Sequence, residues 1–212
     1  MRQSQYNAMF LWMEDLIMSM EHRAFVFDNE RFDSELRNLL LNAGLSNNIN
    51  KIKNFIEQNK EEIKNPYYGG IIDDNWEDTM SVKDVQEYAD FAMTAYYEPD
   101  EDMGLAYAWD AVISILKSIK YKKAEYAVLG KPIKKKDFCV DPGCCGLGIV
   151  KASDVEKIFE QLSELQEEFN EMAEEFESDD DIECDDIISA FEDLLSLYES
   201  AMDEGCGLLL TF

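Results

Sequence analysis

The 212-residue chain has a single histidine, His22, only four prolines, and 19 basic residues against 46 acidic ones. Each shortage excludes something. A di-iron carboxylate bundle needs two Glu-x-x-His motifs, and here the residue three before the lone histidine is Ser19. A Ser-His-Asp or Cys-His centre would have to use His22, which sits between Glu21 and Arg23 with no supporting context. It reads as an ordinary surface or helix-end histidine. A net charge of −27 is incompatible with an ordinary nucleic-acid binder, which displaces phosphate counterions with a basic footprint, and argues against docking on anionic lipid. Long apolar runs are also missing. Residues 111–116 are among the longest, whereas a membrane span needs roughly 20 residues. The apolar stretch at residues 8–13 is cut off by Glu14 and Asp15, which argues against a signal peptide. Five cysteines, an odd number with two adjacent, and the lack of any Asn-x-Ser/Thr site point to free thiols in a reducing cytoplasm.

What is present is a chain able to fold. Hydrophobic residues make up 46% and aromatic residues 12%, enough for a sizeable core. The charge is uneven. Residues 151–212 contain 21 acids and two lysines. Upstream lies an opposite strip, Lys117, Lys120, Lys122, Lys123, Lys131, Lys134, Lys135 and Lys136, with only Glu125 set against it. Intramolecular pairing of this strip with the acidic C-terminal third is the simplest expectation. Single surface pairs contribute only about 0–1 kcal/mol, yet the summed field orients segments and partners.

Helical periodicity dominates the pattern. Tyr6, Met9, Phe10, Met13, Leu16, Ile17 and Met20 recur at three- and four-residue spacing, so residues 4–22 read as an amphipathic helix. Further helices are expected over residues 31–43, stopped by Gly44, then 46–64, 82–97 with Ser81 as N-cap, and 102–129. Residues 130–150 hold four of the ten glycines and two of the four prolines and form the clearest break. Ser153-x-x-Glu156 then resembles a capping box opening a long helix with Val155, Ile158, Leu162, Phe169 and Phe176 along one stripe. A last helix spans about residues 185–203, ended by Gly205, and leaves a short apolar tail. No segment alternates convincingly as a strand, and there is no repeat at a fixed period. The expected fold is all-α, a multi-helix bundle of about seven helices ending in an antiparallel helical hairpin. Residues 1–150 would form the bundle and residues 151–212 an acidic hairpin packed on the same domain.

Familiar site motifs fail on detail. Cys139, Cys144 and Cys145 lack the paired spacing of a structural zinc site. The glycine-rich stretch at residues 143–148 is followed by Ile149 and Val150 where a phosphate loop needs Lys-Ser/Thr, so a tight turn is the better reading. Asp73-Asp74-Asn75-Trp76-Glu77-Asp78 begins like a calcium loop but has Asp78 where an EF-hand needs glycine. No catalytic residue, metal site or cofactor is therefore assigned. Tyr67, Tyr68, Trp76, Tyr97 and Tyr107 fall outside the helical stripes. Tyrosine and tryptophan among carboxylates are what a polar protein-binding surface with a few anchors looks like.

The stretch Tyr107-Ala-Trp-Asp-Ala-Val-Ile-Ser-Ile-Leu-Lys-Ser-Ile-Lys-Tyr121, followed by Ala124-Glu-Tyr126 and Gly130-Lys-Pro132, is similar to helical immunity proteins of bacterial polymorphic and contact-dependent toxin systems. There an Ala-Trp-Asn/Asp helix leads to an Ala-Tyr pair and a proline-containing loop. The similarity covers residues 107–132. It implies a cytoplasmic, non-enzymatic protein that binds and neutralises a cognate toxin domain, a basic and nuclease-like one given the acidity of this chain. The candidate contact surface is Asp179, Asp180, Asp181, Glu183, Asp185 and Asp186 at the expected hairpin turn, with Asp73, Asp74, Trp76 and Asp78 in the aromatic loop. A helical chaperone or adaptor binding an amphipathic partner segment is the alternative reading.

Overall fold

A computed structural model describes residues 20–176 and 182–212. Its centre is a five-stranded antiparallel sheet, which overturns the all-α expectation. The strands are β1 (Arg23–Phe27), β2 (Lys131–Lys135), β3 (Phe138–Val140), β4 (Leu147–Val150) and β5 (Gly207–Thr211). Their spatial order is β1-β5-β4-β2-β3. The chain therefore ends in a strand, not in a helical hairpin. β5 lies between β1 and β4, so residues 1–150 and 151–212 contribute to one sheet.

The strands escape periodicity analysis because helices cover both faces of the sheet. Ala24 and Val26 point into one core and Phe25 and Phe27 into the other. Leu208 and Leu210 face the first, Leu209 the second. A strand buried on both sides reads as an unbroken apolar run, without the alternation of a half-exposed strand. The three leucines of β5 are 0–2% exposed, each burial contributing about 1.5–3 kcal/mol.

Among the described residues nine helices flank the sheet. α1 (Asn29–Glu35), α2 (Arg37–Ser46), α3 (Asn50–Gln58) and α4 (Val85–Met93) cover one face. α5 (Trp109–Ser118), α6 (Ala124–Leu129), α7 (Ala152–Glu164), α8 (Gln166–Glu174) and α9 (Cys184–Glu204) cover the other. Several expected helices are split or shortened. The helix expected over residues 102–129 becomes α5 and α6, parted where Lys120 takes a left-handed φ of 65°. The long helix after residue 150 breaks at Leu165. Gly44 does not stop its helix. It lies inside α2 because the Phe138 ring packs where its side chain would be, and Asn47 caps instead. Asp84, rather than Ser81, is the N-cap of α4, its carboxylate accepting from the amides of Gln86 and Glu87 at 2.9 and 3.0 Å. The Glu87 carboxylate reaches back to the amides of Ser81 and Val82. Most of the helix expected over residues 4–22 lies outside the described residues, but its end is not helical: His22 bridges Ala106 and leads into β1.

His22 is a structural fastener and 1% exposed, not a surface histidine. The Leu105 amide donates to its Nδ1 at 3.1 Å, so Nε2 carries the proton and donates to the Val128 carbonyl at 2.8 Å. It thereby ties β1, the segment along its edge and α6 together. Burial drives its pKa down to about 4, against the smaller opposing effects of the Val128 hydrogen bond and the Asp102 charge.

Two predictions follow from these contacts. The unfolded imidazole takes up a proton near pH 6.5 while the folded one resists until about 4, so its contribution is complete above 6.5 and is lost as pH falls. The stability advantage of wild type over His22→Asn should therefore shrink by about 2 kcal/mol between pH 7 and pH 5 in urea titrations; a difference independent of pH would contradict a neutral buried ring. The Phe169 and Phe191 rings stack at 3.9 Å with both side chains fully buried. Phe191→Ala should cost about 3–5 kcal/mol, while Leu45→Ala, at an exposed position, should change stability by less than about 0.5 kcal/mol.

Candidate functional site

A cleft lies where the end of β1, the loop before Lys64, the segment at residues 94–103 and the C-terminal end of α9 meet. It encloses about 580 Å³. Asp28, Glu61, Glu62, Glu98, Glu101 and Glu204 line it, with Lys64 as its one cation among the described residues. Lys64 pairs with Glu98, and Glu62 is drawn to Arg31. Asp28 is engaged as the N-cap of α1, accepting from the Arg31 amide at 3.0 Å. Glu61, Glu101 and Glu204 make no ion pair among the described residues. The Tyr96 and Tyr97 rings form apolar wall between these acids. The cleft is thus a desolvating groove with surplus negative charge, suited to a cationic group.

The loop that leads to Ile71, which lines the cleft, carries two exposed tyrosines. The Asn65 side-chain oxygen accepts from the amides of Tyr67 and Tyr68 at 2.9 and 3.1 Å, closing an Asx turn at Asn65-Pro66. Gly69, with φ +74°, packs against the Asp100 carboxylate, where any side chain would collide. This tight loop holds Tyr68 at 79%, Ile71 at 57% and Tyr67 at 56% exposure. Thr94 anchors it from below, its hydroxyl accepting from the Lys64 amide at 2.9 Å.

The residues singled out from the sequence are distributed differently. Asp73, Asp74 and Asp78 sit exposed on the short 3-10 turn Trp76–Thr79 and its approach. Asp73 accepts from the Asn75 amide at 2.7 Å. Asp74 pairs with Lys60 at 2.9 Å, which holds its carboxyl below the usual range. Trp76 is 2% exposed: its Nε1 donates to Glu57 and its ring meets Tyr88 edge-on at 5.7 Å. It is a core side chain, whereas Tyr67, Tyr68 and Tyr107 are exposed. Glu183, Asp185 and Asp186 are exposed at the start of α9, where carboxylates suit the helix dipole. Asp179, Asp180 and Asp181 lie outside the described residues. Among the described residues the two patches are not brought together, because Trp76 packs in the core on one face of the sheet and Ile187, next to Asp185 and Asp186, in the core on the other.

The lysine strip does not pair with the acidic C-terminal third among the described residues. Lys117 bonds Glu125 at 2.7 Å, Lys131 lies over the Tyr126 ring at 4.8 Å, and Lys135 donates to Asn42. None of the nine ion pairs among the described residues involves a residue beyond Glu125. The carboxylates of α7, α8 and α9 therefore add their full field to the molecule. The stripe Val155, Ile158, Leu162, Phe169 and Ala173 is consumed by the core. All five cysteines are free thiols, and burial pushes the thiols of Cys139 and Cys206 up. No described helix is long and apolar enough to cross a membrane.

The cleft was missed in the sequence because its acids come from four separate segments. One partial signal existed, the Tyr96-Tyr97 pair directly before Glu98 and Glu101. Comparisons with protein-family models, curated proteins and solved structures find no match to this chain.

Proposed function

We propose that the protein is a non-enzymatic cytoplasmic immunity protein that binds a basic toxin domain and neutralises it. The observation that carries this reading is the acid-lined cleft, with Ile71 exposed in its wall and Tyr67 and Tyr68 exposed on the loop that precedes it. A partner's basic substrate groove would meet surplus carboxylate in the cleft and apolar contact at that loop, the combination of charged field and aromatic anchors that gives fast and selective protein association. Carboxylates on α7–α9, unpaired among the described residues, steer the same partner from a distance. The adaptor alternative has less support, since the apolar stripe it would offer is already packed inside.

Co-expression with the C-terminal domain of the protein that the adjacent upstream gene encodes, whatever that protein is, tests the reading. The expected result is a 1:1 complex whose affinity falls steeply between about 50 mM and about 500 mM salt. The triple variant Glu61→Gln, Glu101→Gln, Glu204→Gln should weaken it at least about tenfold, while Lys120→Gln with Lys122→Gln should strengthen it or leave it unchanged. Absence of a complex, or an affinity insensitive to both salt and the triple variant, would contradict the proposal.

A further inference from the structure

A second, smaller cavity lies on the other side of Tyr97, which lines both. It encloses about 150 Å³. Phe25, Tyr67, Met93, Tyr97 and Phe212 contribute its apolar and aromatic wall, and Asp90 and Arg23 are the charged groups in the lining. Asp90 projects from α4 and accepts a hydrogen bond from the Tyr67 hydroxyl. The groups facing it are Glu87 on the same helix, Tyr67 on the loop before Ile71, Tyr97 after the 3-10 turn Thr94–Tyr96, and Arg23 on β1. Arg23 is already committed: its Nε donates to Asp102 at 2.8 Å, and its guanidinium lies over the Phe25 ring at 5.2 Å. Burial consequently raises the Asp90 carboxyl to about 6, with Glu87 reinforcing the shift and Tyr67 and Arg23 opposing it.

At neutral pH the cavity therefore holds a desolvated anion whose cationic neighbour is spent on another acid. Aromatic faces around such an anion are the chemistry that recognises ammonium and guanidinium groups. The size is selective as well. A cavity of about 150 Å³ takes a group of about benzene's dimensions, well below the roughly 300–1,000 Å³ of pockets for larger ligands. That fits the head of one cationic side chain and excludes a nucleotide. Tyr67 lines the cavity and is half exposed, so the cavity reaches the surface at its ring.

We propose that this cavity is a specificity pocket for one lysine or arginine side chain of the partner, held by Asp90 between Tyr67 and Tyr97. The identity of that partner rests on the reading given under Proposed function; the cation chemistry does not. The pocket differs from the cleft in what it demands. The cleft attracts positive charge in general, whereas the pocket accepts a single side chain at a fixed position on the interface.

The test is an NMR titration of the full chain with N-acetyl-lysine methylamide and N-acetyl-arginine methylamide, with the glutamate amide as control. One of the two cationic amides should shift the Tyr67 and Tyr97 ring resonances, lower the titration midpoint of Asp90, and bind at least about tenfold more weakly to Asp90→Asn. Asparagine keeps an acceptor for the Tyr67 hydroxyl. Tyr67→Leu, at a half-exposed position, removes the aromatic wall with the carboxylate intact and should weaken binding too. Undisturbed rings with both amides, or undiminished binding in both variants, would overturn the pocket. A toxin-domain complex unaffected by Asp90→Asn would also overturn it while leaving neutralisation standing. Amide binding in the absence of any toxin complex would sink neutralisation and leave the cation pocket in place.

Discussion

Hydrogen bonding of β5 between β1 and β4 joins the two ends of the described chain. Leu209 sits opposite Phe25 on one side and Ile149 on the other, and Leu208 and Leu210 alternate with it across the sheet. Both faces are therefore apolar and each needs a layer of helices. α1–α4 satisfy one and α5–α9 the other. Where the two layers and the β1 edge converge, the chain leaves a seam, and the cleft lies along it. His22 and Asp102 hold that edge, the first through Val128 and Leu105, the second through the Ala24 amide and Arg23. Without the central strand the seam has no fixed walls.

Charge is arranged around that scaffold so that it is not internally cancelled. The short-range pairs tie α1, α2, α3 and the loops next to them, and the acids of α7–α9 stay outside them. Mutual repulsion among these acids costs stability. The exposed tyrosine loop provides what a field alone cannot, a place where contact becomes short-ranged and specific.

Much of the helical content was legible in residue order. α9 matches its expected span closely, down to Gly205 in the left-handed cap, because one face of it is apolar and the other charged. The sheet was not legible. Arg23–Phe27 falls between two expected helices and Gly207–Thr211 reads as a tail until their partners are known, since burial on two faces erases alternation. The β2–β3 hairpin was hidden in a stretch whose glycines and prolines read as loop. Of the surface residues named from the sequence, Asp73, Asp74 and Asp78 are exposed, and Trp76 is buried because its ring completes the packing of Tyr88 and Phe91. Glu61, Glu101 and Glu204 carry no mark in sequence that separates them from the other acids. Only the tertiary fold gathers them.

The central claim is that this molecule works by presenting the acid-lined seam and the exposed tyrosine loop to a positively charged protein. Amide hydrogen exchange of the chain, free and bound to the upstream-encoded domain, tests it most directly. The account predicts slowed exchange concentrated in residues 61–72 and 94–103. Protection concentrated instead on the lysine-rich residues 117–136, with the seam unchanged, would contradict it.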